Sequence, residues 1–248
     1  MKVGITGSRG FVGSNLIKHM RFINSTVDKE FYTIEGYKGR ISNKRAIREF
    51  VERNDVVIHC AADHKGSPEE IIKTNLVDSL WLAYECAAQG KNEKKKLIHV
   101  SSTNSTSPSF AFSKRTFDAA LTRLNQSYDL DYSIVLCPNI VGLGCRPFYN
   151  SFITTLIYLI SKNEPHKHLI RDNDVLIDFS FVESVNVQIL NAITIKHKHD
   201  YFPEFHTMSI AQIVDILTCK KKAKTTAEHY LSSLKESYKT YEIPKKYR

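Results

Sequence analysis

The chain has 248 residues, of which 42% are hydrophobic, 10% aromatic and 25% charged, the make-up of a globular protein long enough to bury a sizeable core. No apolar run approaches the roughly 20 residues that cross a bilayer, the N-terminus lacks a signal-peptide pattern, and the five cysteines (Cys60, Cys86, Cys137, Cys145, Cys219) form no C-x-x-C pair, so a cytoplasmic protein with reduced thiols and no zinc is expected. The net charge of +9 favours anionic partners, but the lysine clusters at 94–96 and 220–224 lack the interleaved aromatics of single-strand binders, which argues against nucleic acid.

The first predicted element is a short apolar strand, Val3 to Thr6, followed by a turn through Gly7, Gly10 and Gly13 into an amphipathic helix carrying Leu16, Ile17 and Met20. Gly7 allows the tight turn, Gly10 lets the backbone approach a pyrophosphate, and Gly13 permits close helix–strand packing. The amides at the helix start then face phosphate. Gly7, Ser8, Arg9, Gly10, Phe11, Val12 and Gly13 are therefore candidate cofactor contacts. A second strand, 31–36, carries Glu35 about 20 residues beyond the glycine turn, where a carboxylate can take the ribose hydroxyls of NAD. Arg9, Lys38 and Arg40 can instead neutralise the extra phosphate of NADP, and the balance leans to NADP(H).

"NKRAIREFVERN" reads as a helix and "DVVIHCAA" (55–62) as a buried strand, with Ala61 and Ala62 at its cofactor end. A single long helix is expected over 68–90, a strand over 96–102, a helix opening at "SFAFSK" (109–114) and a strand over 132–138. Strands alternating with helices predict an α/β fold: a Rossmann-type, doubly wound parallel sheet over 1–140, with a smaller, partly interleaved substrate-binding lobe over 141–248. "FITTLIYLI" (152–160) reads as a buried helix, and the histidine runs at 166–168 and 196–199 as exposed loops rather than metal ligands.

"TGSRGFVG", "DVVIHCAA", Asn75, "VSST" and the "SK" at 113–114 together resemble the extended short-chain dehydrogenases/reductases of the sugar-nucleotide branch. "PNIVGLGCRPFYNSFITTLIYLISKNE" and "MSIAQIVDIL" are similar, more narrowly, to the N-terminal reductase domain of CapF-type bifunctional enzymes. The resemblance implies an NAD(P)-dependent oxidoreductase acting on a 4-keto-6-deoxy, UDP-linked and N-acetylated sugar for surface polysaccharide. It implies that Thr103 bonds the reacting carbonyl and that Lys114 binds the nicotinamide ribose. Phe110 stands where the family has its catalytic tyrosine. It keeps the ring and lacks the proton, and a positioned acid contributes about 10²–10⁴-fold.

Three alternatives stay open at Phe110: another donor (Thr103, a water held by Lys114, or Tyr149), a regulatory subunit that has lost catalysis, or a replacement that traps a substrate complex. Another sugar-nucleotide epimerase or dehydratase is a further alternative. His64, Asn139, Arg146, Tyr149 and Asn150 are candidate substrate contacts, with Arg146 suited to a diphosphate. Ile177 and Ser184 stand where the family carries an arginine and an aspartate. The resemblance also implies a homodimer through the helices at 68–90 and 110–127. Since CapF-type enzymes continue into an epimerase domain and this sequence stops at Arg248, it further implies a separate epimerase chain or an isolated domain.

Overall fold

Apolar runs of four to seven residues build the centre of the fold, because strands covered on both faces have no polar side to alternate with. The computed structural model describes residues 1–27, 30–90, 94–103, 107–149, 151–195 and 200–243. Its elements begin with β1 (Lys2–Thr6), α1 (Phe11–Ser25), β2 (Thr33–Gly36), α2 (Lys44–Arg53), β3 (Val56–His59) and α3 (Pro68–Ile72). A π-helical segment, Lys73–Asp78, leads into α4 (Ser79–Gln89), β4 (Lys96–Ser102), α5 (Pro108–Tyr128) and β5 (Asp131–Cys137). Then come β6 (Asn139–Val141), α6 (Phe152–Ser161), a 3₁₀ turn (Lys167–Leu169), β7 (Leu176–Phe181), α7 (Val182–Thr194), β8 (Asp200–Tyr201), β9 (His206–Ser209), α8 (Ile210–Leu217) and α9 (Thr226–Tyr238).

The chain divides into two compact units: Met1–Cys137 with Glu183–Pro203, and Pro138–Val182 with Glu204–Arg248. In the first, six strands lie in the order β2-β1-β3-β4-β5-β8, and every neighbouring pair is parallel. This is the expected Rossmann-type α/β sheet. The chain steps outward from β1 to β2 and then back past β1 to β3, so right-handed crossovers put α1 and α2 on opposite faces. The strand order reverses there, and ligands of such sheets bind beyond the strand ends at that point. On the α2 face, α2 packs on α4 and α4 on α5, around Phe50, Leu82, Leu97, Phe117 and Leu121.

Two expected elements differ in the structure. The strand read over 55–62 ends at His59, paired with Thr6, because its neighbour β1 stops and the chain leaves the ladder at Gly7. The helix read over 68–90 is interrupted by the π segment. That segment carries Asn75, whose amide pairs with the backbone of Asp63 on both sides: Asp63 N–H donates to Oδ1 at 2.7 Å, and Nδ2 donates to Asp63 O at 2.8 Å. Such π turns mark places where a helix has been re-registered to aim a side chain.

In the second unit β7 pairs with β6 in parallel and with β9 antiparallel. Helices α6, α8 and α9 enclose Leu156, Ile157, Phe179, Ile213 and Leu231. The Tyr238 hydroxyl, at the end of α9, donates to the carbonyl oxygen of Cys145. A capping box, Thr225 with Glu228, starts α9.

Candidate active site

The turn after β1 is set by close backbone approach. Gly7 has φ +66, and a Cβ there would stand 2.6 Å from Ala61 N. A Cβ on Gly13 would sit against the carbonyl oxygen of Gly7, closer than real side chains come. Both positions therefore exclude any other residue, for conformation in one case and for space in both. Gly10 N–H donates to Gly7 O at 2.8 Å, and Gly10 is the N-cap of α1. No side chain caps this helix and its first turn carries no acidic residue, so the positive end of the dipole is left for an anion. This uncapped start fits the diphosphate of a dinucleotide.

Around the turn, Ser8 is buried and its hydroxyl donates to Tyr37 O at 3.0 Å, while Arg9 is exposed. Phe11 and Val12 are half-buried, as are Ala61 and Ala62 at the end of β3. Glu35 is engaged by α2: Arg53 reaches it at 2.7 Å and Asn54 Nδ2 donates to it at 2.9 Å. Burial works to raise its pKa, but those bonds hold the carboxyl below its ordinary value. Lys38 and Arg40 are exposed on the segment after β2.

The helix α5 contributes Phe110 and Lys114, one turn apart and both buried. Lys114 Nζ donates to Val100 O at 2.8 Å and lies 3.4 Å from His99 Nε2. Burial, opposed chiefly by the Asp118 carboxylate, lowers its pKa to about 8. The Phe110 ring lies beside it, its centroid 5.9 Å from Nζ, and the His64 ring packs on Phe110 with centroids 4.3 Å apart. Burial, and secondarily the charge of Lys114, lowers His64 to about 4, so the ring is neutral at pH 7. Thr103 is exposed just beyond β4, tethered by its N–H to Cys137 O at 2.9 Å. Phe110, Lys114 and His64 are thus brought together, with Thr103 three residues beyond the carbonyl that Lys114 holds.

Beneath Lys114 lies a buried polar layer that sequence reasoning missed. His59 and His99 are opposite each other in the β3–β4 register and stack at 5.3 Å. Ser79 Oγ gives its proton to Thr74 O, so His59 Nε2, 2.9 Å away, donates to Ser79 and His59 Nδ1 accepts from Thr6 Oγ1 at 2.7 Å. That is a neutral imidazole, in line with its pKa, which burial and then Lys114 push down to about 3. The same causes hold His99 well below its ordinary value. Ser101 Oγ donates to Asp118 Oδ2 at 2.6 Å, and burial raises the Asp118 carboxyl. The signal was available: a histidine in each of two apolar strands, at the end of β3 and in the middle of β4.

Of the other candidate residues, Asn139 is exposed at the start of β6 and donates to Asp178 O at 2.8 Å. The Arg146 guanidinium lies over the Tyr149 ring at 4.8 Å, in the loop whose Cys145 carbonyl Tyr238 holds. Asn150 and the histidine run at 196–199 lie outside the described residues. Among the described residues, no group of three or more metal-ligating side chains occurs and no helix is long and apolar enough to cross a membrane.

A family model described as "NAD dependent epimerase/dehydratase family" matches residues 3–201. A UDP-2-acetamido-2,6-beta-L-arabino-hexul-4-ose reductase of Pseudomonas aeruginosa is 24% identical over 264 residues, covering 98% of this chain and 68% of that protein. The capsular polysaccharide assembling protein CapF from Staphylococcus aureus superposes with a TM-score of 0.70 at 23% identity, over 98% of this chain and 67% of that one. A UDP-glucuronic acid 4-epimerase from Bacillus cereus, solved with UDP-glucuronic acid and NAD, gives a TM-score of 0.78 at 16% identity, over 96% and 99%. This chain spans about two thirds of the length of the reductase and of CapF.

Two outcomes are expected from this geometry. Gly13→Ala forces the α1 start away from Gly7 and should cost about 1–3 kcal/mol, the usual range for overpacking, read as a lower urea midpoint. Neutral buried histidines bind fewer protons folded than unfolded, so stability is fully present above pH 6.5 and falls as pH drops toward the folded pKa values. Urea unfolding at pH 5 should show a loss of about 2 kcal/mol from His59 alone relative to pH 8, and His59→Gln should remove that share.

Proposed function

The chain belongs to the NAD dependent epimerase/dehydratase family, and from that membership we propose that it is an NAD(P)H-dependent reductase of a 4-keto-6-deoxy sugar nucleotide, UDP-linked and N-acetylated, in surface-polysaccharide precursor synthesis. The observation that carries this reading is the uncapped, glycine-lined start of α1, with a buried Lys114 on α5 of the same unit. The name of the Pseudomonas relative supports the sugar class.

In this reading the backbone from Gly7 to Gly13 grips the diphosphate of the cofactor, and Ala61 and Ala62 leave room beside it. Lys114, charged below about pH 8, donates to the nicotinamide ribose in place of its bond to Val100 O. Glu35 is held by Arg53 and Asn54, whereas Arg9, Lys38 and Arg40 are exposed, which favours NADP(H) over NAD(H). When bound, the nicotinamide supplies a hydride to the sugar carbonyl. Thr103 donates a hydrogen bond to that carbonyl's oxygen. His64, Asn139, Arg146, Tyr149 and Asn150 are the proposed contacts to the nucleotide sugar, with Arg146 suited to a diphosphate. The protein acts in the cytoplasm, as a homodimer.

A second reading is favoured by one observation: Phe110, buried beside Lys114, has no proton to give. It is a cofactor- and nucleotide-sugar-binding subunit without turnover.

Calorimetric titration should give a saturable signal for NADPH, stronger than for NADH; absence of both at millimolar coenzyme overturns the proposal. Phe110→Tyr should raise turnover of a 4-keto sugar nucleotide about 10²-fold. Coenzyme binding without turnover in either form, across several such substrates, selects the second reading.

A further inference from the structure

Delivery of a hydride to a ketone leaves an oxygen that must gain a proton, and the ring beside Lys114 has none. Two of the three histidines grouped around that lysine, His59 and His99, are sealed in the sheet at 1% and 0% exposure. His64 differs: it is half-buried, on the segment following β3, and its ring lies on the Phe110 ring with centroids 4.3 Å apart and planes inclined by 31°. Its position is built rather than incidental. The preceding residue, Asp63, is clamped through both backbone polar groups by Asn75, and the π segment is what presents Asn75 there. The other hydroxyl at hand, that of Thr103, makes a long contact to Cys137 O at 3.5 Å among the described residues.

We propose that His64 is the proton donor of the reduction, a catalytic residue that supplies from the β3 side what Phe110 cannot supply from α5. This rests on the reductase reading above. As the carbonyl carbon takes the hydride from the reduced nicotinamide, the C=O π pair moves onto oxygen. One ring nitrogen of His64 gives that oxygen its proton, and the other nitrogen takes a proton from solvent. The ring is neutral before and after, in the opposite tautomer, and the sum is ketone, reduced nicotinamide and one proton giving alcohol and oxidised nicotinamide. Burial favours such a ring by keeping it neutral at pH 7, so that it carries a proton on one nitrogen only. Lys114 nearby adds positive potential that favours the developing oxyanion.

The test is a double-mutant cycle with His64→Ala, His64→Gln and Phe110→Tyr, reading kcat, KM and coenzyme affinity separately. Both His64 changes are expected to lower kcat about 10²-fold with KM and coenzyme Kd within about threefold of the starting protein. In the Phe110→Tyr background, where a phenol supplies the proton, the same changes should cost less than about tenfold. A second readout needs no turnover: the His64 imidazole NMR signal, assigned with His64→Gln, should shift when UDP-N-acetylglucosamine and oxidised coenzyme are added, while that of buried His59 does not. An unchanged kcat, an equal loss in both backgrounds, or an unmoved His64 signal overturns the role of His64 while leaving the reductase reading intact. If the unsubstituted protein neither binds coenzyme nor turns over, the reductase reading itself falls and this role falls with it.

Discussion

An ammonium buried against a neutral carbonyl and a neutral imidazole is the constraint around which the first unit is organised. Lys114 is 3% exposed, and a buried cation must find oxygen or neutralise. It takes Val100 O, a carbonyl of β4, and draws on the field of Asp118, which Ser101 orients. The groups near it answer to that charge. His59 and His99 stay neutral, as burial already requires, while Cys60 and Cys137 are pushed up to about 12 by burial, with Lys114 only partly opposing it. The result is a charge held among neutral polar groups, with Asp118 as its counter-field.

The second organising fact is the meeting of the β1 turn with the end of β3. Gly7 lies so near Ala61 that the two strands leave the sheet together, and the segment beyond β3 is then directed by Asn75 rather than by any ladder. One amide side chain, aimed by an irregular helical turn, thus fixes the start of the segment that carries His64. The uncapped α1 start and the Lys114–Phe110–His64 group both follow β strands of this sheet at their C-terminal ends, where parallel sheets gather their ligands.

Much of this is legible in the residues. The strand–glycine–helix opening, the alternation of β and α elements and the buried character of α6 follow from period and composition, since each depends on local pattern. The interruption at Lys73–Asp78 is not legible, because "IIKTNLVDSL" carries an unbroken helical period and the π turn answers to a partner twelve residues away. Glu35 shows a similar limit: its distance from the glycine turn suits a ribose, but its engagement by Arg53 and Asn54 depends on where α2 packs. The stacked His59–His99 pair stands between these cases. Each residue is conspicuous in an apolar strand, and only the strand register reveals that they are neighbours.

Both units are closed by segments that come late in the chain. The last strand of the parallel sheet, Asp200–Tyr201, is laid beside β5 only after the whole of 138–182 has intervened. In the second unit, the hydroxyl of Tyr238 seizes a carbonyl 93 residues earlier. Residues up to 201 must therefore be made before the parallel sheet is complete, and residues up to 238 before the second interior is sealed. Closure over such long sequence separations is the kind that slows folding, because loop entropy is lost before the distant contacts form.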